Sequence, residues 1–272
     1  MDEAIPALNI AVLVKHVPDT QFDRHLDGEH RTTDRSESIL SELDEYALEA
    51  ALQLVEAQGG DGHRVTAVTM GPPAAVNAVK KALQIGAHEG IHLCDDALAG
   101  SDASGTSRAL AAVVRHLGTA DLVLTGMAST DGETSLVPAQ LAELLQLPQV
   151  TFASSLELTH DDGGRQLIAR RESDNVAETV RSTLPAVVSV TDQINEPRYP
   201  NFKGIMAAKK KPITTLTLAD IGLDASEVGF SGAWTRVEQA QQRPPRSQGV
   251  IITDEGDAGR RLVDFLAEQK LL

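Results

Sequence analysis

The sequence predicts an α/β protein built on a doubly wound parallel sheet with an extended C-terminal arm. Three observations carry this prediction. Strand-patterned and helix-patterned segments alternate over the first 145 residues, which implies right-handed crossovers between parallel strands. Hydrophobic residues make up 42% of the 272-residue chain but aromatics only 3%, so the core is one of Ala, Val, Leu and Ile, where helices lie close to strands. Beyond Leu218 the periodicity lapses and Gly222, Gly229, Gly232, Pro244 and Pro245 accumulate.

The elements follow in order. Leu8 to Val14 is a continuous apolar run, the pattern of a strand buried on both faces. A polar stretch, Pro18 to Ser38, carries a turn signal at Asp27-Gly28. Leu43, Ala47, Ala50 and Leu54 then share one face of a helix, with Ser41 as its expected cap, Asp44 adding acidic character at its start, and Gly59-Gly60 as its stop. Arg64 to Met70 reads as a strand, Ala74 to Ile85 as a helix ending at Gly86, and Gly90 to Cys94 as a short strand. Thr106 to Leu117 reads as a helix, Asp121 to Thr125 as a strand and Ser135 to Leu145 as a helix. After Pro148 the strands Thr151 to Leu158 and Gln166 to Arg170 flank a hairpin turn at Asp161-Asp162-Gly163-Gly164. Ala186 to Thr191 is one more buried strand, and Ala258 to Gln269 a last helix presenting Leu262, Phe265 and Leu266. The first domain is expected over 1–218 and the arm with its helix over 219–272.

Composition excludes several functions. A net charge of −15 argues against a nucleic-acid surface, which needs clustered Lys and Arg. The single cysteine, Cys94, allows no internal disulfide and reads as a small buried hydrophobe. No apolar run approaches the ~18 residues of a membrane span. The start, Met1 to Ala7, is acidic and unlike a secretory signal, so a cytoplasmic location is expected.

The most informative loop is Gly126-Met127-Ala128-Ser129-Thr130-Asp131-Gly132-Glu133-Thr134-Ser135, which leaves one strand and enters the next helix, reaching Val137. Ligands of parallel sheets sit at the carboxyl ends of strands. Gly126 and Gly132 permit close backbone approach, and Thr134 and Ser135 stand where free helix N–H groups would hold a phosphate. The same residues also make an ordinary capped turn. The loop is neither a GxGxxG fingerprint nor a P-loop, so it specifies neither NAD binding nor ATP hydrolysis. Asp131 and Glu133 lack a third ligand for a metal, and no metal site is expected. The eight histidines are scattered, with His16 read as an exposed loop residue, and no Ser or Cys occupies a nucleophile elbow. Lys209-Lys210-Lys211 could attract an acidic partner, or favour a helix C-terminus stopped by Pro212.

Nearly end to end, the segments resemble the electron-transfer flavoprotein beta subunit family. The resemblance runs through Ala11-Val12-Leu13-Val14-Lys15, Leu43-Asp44-Glu45-Tyr46-Ala47, Val68-Thr69-Met70-Gly71-Pro72, Ala82-Leu83 to Ile91-His92, Asp131-Gly132-Glu133-Thr134 and Thr151-Phe152-Ala153-Ser154. Downstream it continues through Arg171-Glu172-Ser173-Asp174, Leu184-Pro185-Ala186-Val187-Val188, Asn195-Glu196-Pro197-Arg198-Tyr199, Ile205-Met206 and the three lysines. Met127-Ala128-Ser129-Thr130 departs from the Gln-Ala-Ile run of many relatives, Asn175 from a Gly or acidic residue, and Phe202 from Leu.

The resemblance implies an adenine-nucleotide-hydrolase-like fold whose arm wraps a larger alpha subunit. AMP would be held here and FAD mainly in the alpha subunit. The AMP contacts would be Leu13, Asp44, Ala67, Met70, the loop residues 126–135 named above, and Val137. Glu172, Tyr199, Phe202, Ile205 and Met206 would dock partners. Electrons would come from flavin dehydrogenases, such as the acyl-CoA dehydrogenases of fatty acid oxidation, and pass towards a membrane-bound quinone oxidoreductase. The chain itself would be an electron-carrier subunit, with no catalytic residue and no membrane insertion of its own. Two other readings stay open: a bifurcating-type subunit binding a second FAD and oxidising NADH, and a stand-alone adenine-nucleotide-binding regulatory protein.

Overall fold

The computed structural model describes residues 6–27, 31–59, 61–118, 120–161, 164–241, 244 and 249–272. Most of the Met1–Ala7 segment, Gly28 of the first turn, Gly60, the centre of the turn at 162–163 and part of the Gly- and Pro-rich stretch lie outside the described residues.

The chain opens with β1 (Asn9–Leu13), the strand expected over 8–14. The polar stretch after it folds into short ribbons: β2 (His16–Pro18), β3 (Leu26–Asp27), β4 (Thr32–Thr33) and β5 (Ser38–Leu40), with β2 paired antiparallel to β5 and β3 to β4. Then come α1 (Glu42–Gln58), β6 (Arg64–Met70), α2 (Val76–Ile85), β7 (Glu89–Leu93), α3 (Ala103–Leu117), β8 (Leu122–Gly126) and α4 (Val137–Leu145). The remaining elements are β9 (Gln149–Asp161), β10 (Gly164–Ser173), β11 (Val176–Thr183), β12 (Ala186–Val190), α5 (Phe202–Ala208), β13 (Ile213–Leu216), α6 (Gly229–Gly232) and α7 (Ala258–Glu268).

One sheet orders nine strands as β11-β10-β9-β12-β8-β1-β6-β7-β13. From β9 to β13 every neighbouring pair is parallel; β10 and β11 extend the sheet antiparallel. β1 lies in the interior of the sheet between β6 and β8, Ile10 facing Val65 on one side and Leu122 on the other. Alternate residues of one strand point to opposite faces. Ile10 and Val12 accordingly join the buried residues of α1 and α2, whereas Ala11 and Leu13 join those of α3 and α4. That division is the double winding.

Several expectations are corrected. Ser41 occupies the cap position of α1, but its buried hydroxyl has no hydrogen-bond partner among the described residues. The amides of Asp44 and Glu45 go instead to the Ser41 carbonyl. His16 is buried in β2 rather than exposed, because pairing with β5 folds it inward. Cys94 is only half-buried. α4 begins at Val137, two residues late: Glu133 and Ser135 take left-handed backbone with φ of 52° and 53°, which a right-handed helix cannot include. β11 and β13 escaped the sequence reading. β11 is an edge strand exposed at nearly every position, and β13 is four residues of Ile, Thr and Leu, so neither shows a buried alternation.

Contacts divide the chain into Met1–Val237 and Glu238–Leu272. Within the first unit, Leu218 and Val228 are buried and Ile221 and Leu223 pack on the α3/α4 core, so residues 219–237 lie against the α/β body. Gly229 has φ +61, and a side chain there would meet the Ala97 carbonyl, so the backbone itself approaches the body closely. In the second unit α7 exposes Leu262 and Val263. Among the described residues no helix is long and apolar enough to cross a membrane.

Candidate functional site

Strand order reverses its direction of winding beside β1: the chain runs from β1 outward to β6 and β7, then returns to β8 on the other side. Ligands of open α/β sheets bind outside the carboxyl ends of strands at such a point. A cleft of about 920 Å³ opens there, lined from β1 by Leu13, from β6 by Met70 and from β8 by Thr125 and Gly126.

Asp44, the third residue of α1, sits at the switch. Its Oδ2 accepts a hydrogen bond from the Lys15 amide at 2.7 Å, and the Gly126 amide also reaches the carboxyl. A side chain at Gly126 would come within 2.8 Å of Asp44 Oδ1 and 2.7 Å of the Leu43 carbonyl, so only glycine lets β8 close on α1. Burial raises the Asp44 carboxyl to about 7, against the pull of the Lys15 amide and charge and the Gly126 amide; the Asp131 charge adds to the rise.

Asp131 behaves oppositely. Its two oxygens receive Lys15 Nζ at 2.8 Å and Arg35 Nη2 at 2.5 Å, and its side chain is 5% exposed. Burial works to raise it, but the two cations outweigh burial and hold it far below the usual carboxylate range. The clamp ties the loop after β8 to the ribbon before α1, and Lys15 Nζ also reaches Ser129 Oγ at 3.4 Å. Ser129 Oγ accepts from the Gly132 amide at 3.2 Å, folding the loop on itself. Left-handed non-glycine residues are costly and cluster at ligand sites, and this loop holds Glu133 and Ser135 in that conformation.

Of the residues expected to contact nucleotide, Leu13, Asp44, Met70, Gly126, Ala128, Ser129, Thr134, Ser135 and Val137 line the cleft. Met127, Thr130, Asp131, Gly132 and Glu133 do not; Asp131 is turned to Lys15 and Arg35, and Glu133 lies 3.9 Å from Arg24. Ala67 is fully buried in the α1/α2 core, because its position in β6 turns its side chain from the cleft. Lys15, His16, Arg35, Cys94, Asp102 and Arg236 line the cleft and were missed. They lie in short ribbons, at strand ends, at the cap of α3 and near residue 236, where no periodicity marks a site. The start of α4 has no side-chain cap and carries proline at its second position. In the loop before it, Thr130 Oγ1 is buried without a partner among the described residues.

His88 and His92, four apart, would share a face on a helix. At β7 they stand ~13 Å apart by strand rise. His88 Nδ1 accepts from the Val65 amide, and His92 Nε2 is 3.0 Å from the Gly71 carbonyl. Among the described residues no three His, Cys, Asp or Glu side chains gather as metal ligands.

The expected docking residues fall at two places. Glu172 lies on β10, paired with Arg170 at 2.6 Å. Tyr199, Phe202, Ile205 and Met206 form an exposed apolar patch at and before α5, with Tyr199 92% and Phe202 80% exposed. The patch stands on a built plinth. Arg198 grips Glu49 and Glu56 of α1 with bonds of 2.6–3.0 Å, and Asn195 Nδ2 donates to the Tyr46 carbonyl. Lys211 Nζ donates to the carbonyls of Leu83, Gly86 and Ala87 at the end of α2. This lysine does serve a helix C-terminus, that of α2 rather than of its own α5.

Residues 32–221 match the family described as Electron transfer flavoprotein domain. A curated relative from Mycobacterium leprae, named electron transfer flavoprotein subunit beta, is 44% identical over 268 residues, covering 97% of this chain and 99% of its own. A protein of the same name from Thermoanaerobacterium thermosaccharolyticum is 35% identical, covering 97% and 100%. The Acetobacterium woodii protein named Caffeyl-CoA reductase-Etf complex subunit CarD is 33% identical, covering 97% and 100%.

Proposed function

Because this chain belongs to the electron transfer flavoprotein beta-subunit family, we propose that it is the smaller half of a cytoplasmic two-subunit electron carrier. It holds AMP in the cleft at the β1/β8 switch. A larger alpha subunit carries the FAD, accepting electrons from flavin dehydrogenases such as acyl-CoA dehydrogenases and passing them towards a quinone oxidoreductase. The observation that carries this reading is the cleft itself. Its apolar wall of Leu13, Val68, Met70 and Leu110 suits an adenine ring; its loop hydroxyls and the uncapped start of α4 suit a phosphate.

Co-expression with the alpha subunit, denaturation of the purified complex and chromatography of what is released test the proposal. One AMP and one FAD per heterodimer are expected. A second FAD in place of AMP establishes the bifurcating alternative. Two observations favour keeping that reading: the similarity to a protein named as part of a caffeyl-CoA reductase complex, and a cleft of about 920 Å³, near the upper end for small-molecule sites. Release of neither nucleotide overturns both.

A further inference from the structure

The cleft has a wall that family resemblance did not assign. Residues Gly229–Val237 cross the ends of β7 and α3, and five of them, Phe230, Ala233, Thr235, Arg236 and Val237, face the cleft opposite the loop after β8. This strap is fastened along its length. The Gly229 amide donates to Ser101 Oγ at 2.8 Å and the Phe230 amide to the Ala99 carbonyl at 3.0 Å. Asp102 Oδ2 accepts three bonds, from the Trp234 amide at 2.8 Å, the Thr235 amide at 3.0 Å and the Thr235 hydroxyl at 3.1 Å. Its other oxygen caps α3 by accepting from the Gly105 amide at 2.9 Å. Arg31 Nη1 donates to the Val237 carbonyl at 3.2 Å, and the Arg108 guanidinium stacks 5.2 Å from the Trp234 ring.

Charge singles out one residue of the strap. Lys15, Arg31 and Arg35 line the cleft, but Lys15 and Arg35 share the Asp131 carboxylate and Arg31 Nη1 is engaged by the Val237 carbonyl of the strap itself. Asp95, Asp96 and Asp102 also line it, so further positive charge in the cleft favours holding an anion. Arg236 lines it with no carboxylate in ion-pair contact among the described residues. A guanidinium lining a nucleotide cleft with no carboxylate partner among the described residues is suited to a phosphate by charge and by its forked donors.

We infer that the strap Gly229–Val237 is a binding wall of the cleft, with Arg236 contacting the phosphate of an adenine mononucleotide and Asp102 the positioning residue that holds Arg236 there. The inference rests on the nucleotide reading above and adds residues remote from the loop to which that reading assigned the phosphate.

Equilibrium dialysis of the full chain against AMP over a range of salt concentrations, with the melting temperature taken in parallel, tests it. Arg236→Gln weakens AMP binding about tenfold and makes its salt dependence shallower, because one charged contact is lost. Asp102→Ser keeps a capping oxygen for α3 but loses the strap's acceptor. It also weakens AMP about tenfold and flattens the salt dependence, because Arg236 is no longer held. Both changes act through one arginine, so the double variant binds more tightly than the product of the single effects predicts. AMP bound equally well by the unaltered chain and by Arg236→Gln overturns the strap assignment and leaves the nucleotide reading standing. Fully additive effects, or unchanged salt dependence in Asp102→Ser, remove Asp102 from the positioning role. No AMP bound by the unaltered chain overturns the nucleotide reading and the strap with it.

Discussion

At the scale of single residues, two carboxyls near Lys15 titrate in opposite senses, and each predicts a different response to pH. Asp131 is held below the usual range by Lys15 and Arg35 despite burial. Its contribution is fully present above the unfolded value of about 3.9 and is lost as pH falls from there through the lower folded value. Asp131→Asn should cost about 1–3 kcal/mol at neutral pH, with the difference from the unaltered chain shrinking below pH ~4, as measured by denaturant unfolding. Asp44 is raised to about 7, so between about 4 and about 7 the folded state holds a proton that the unfolded state has lost. Stability attributable to Asp44 therefore falls as pH rises across that window, and Asp44→Ala should flatten that fall. Phe202 is a third such residue. It is 80% exposed at the start of α5, so truncation removes no core contact. Phe202→Ala should leave the melting temperature unchanged and weaken reduction of the complex by its dehydrogenase about thirtyfold, as an interface anchor of ~2 kcal/mol would. A lower melting temperature with unchanged electron transfer would put Phe202 in the core instead.

At the scale of elements, the docking patch depends on helices remote in sequence. The segment from Thr191 to Asn201 has no regular structure, yet Arg198 binds it to α1 through Glu49 and Glu56. Glu49 is buried, and although burial works to raise its carboxyl, the Arg198 bonds outweigh that and leave it below the ordinary range. Arg198→Ala leaves this carboxylate unpaired and should destabilise by about 3 kcal/mol, whereas Arg198→Lys keeps the charge but loses the fork and should cost less. Chemical denaturation of both variants measures the difference. Little of this was legible beforehand. Asn195 to Tyr199 was recognisable as a motif, but a motif does not say that its arginine reaches back 149 residues. The sheet strands were legible wherever burial on both faces made a run of Val, Leu and Ile, as in β6 and β12. The exposed β11 had no such run.

For the whole molecule, the two units pose separate questions. Residues 219–237 share the α/β unit's contacts, and Glu238–Leu272 form the other. We expect the second unit to wrap the alpha subunit. Its α7 exposes Leu262 and Val263, apolar surface that a partner would cover. Limited proteolysis of the isolated chain should cut beyond Val237, and the complex should resist cutting there. Equal cleavage of both would rule out that role. Size-exclusion of the chain expressed alone and with the alpha subunit separates a heterodimer from a self-assembling regulatory protein.

The sequence by itself determined the alternation of strands and helices, the parallel crossovers that alternation implies, the family, and the loop after β8. Those properties are written in near neighbours: apolar periodicity, glycines at turns, and short motifs. The tertiary structure alone decided that Asp131 faces inward to Lys15 and Arg35, that Asp44 spans the gap between β1 and β8, that Ala67 turns away from the cleft, and that Asp102 holds a strap more than a hundred residues downstream. Each of these rests on a charged or polar group meeting a partner distant along the chain. Periodicity records which face of an element is buried. It carries no trace of which distant group a buried carboxylate will meet, and that pairing sets the group's charge and the shape of the site.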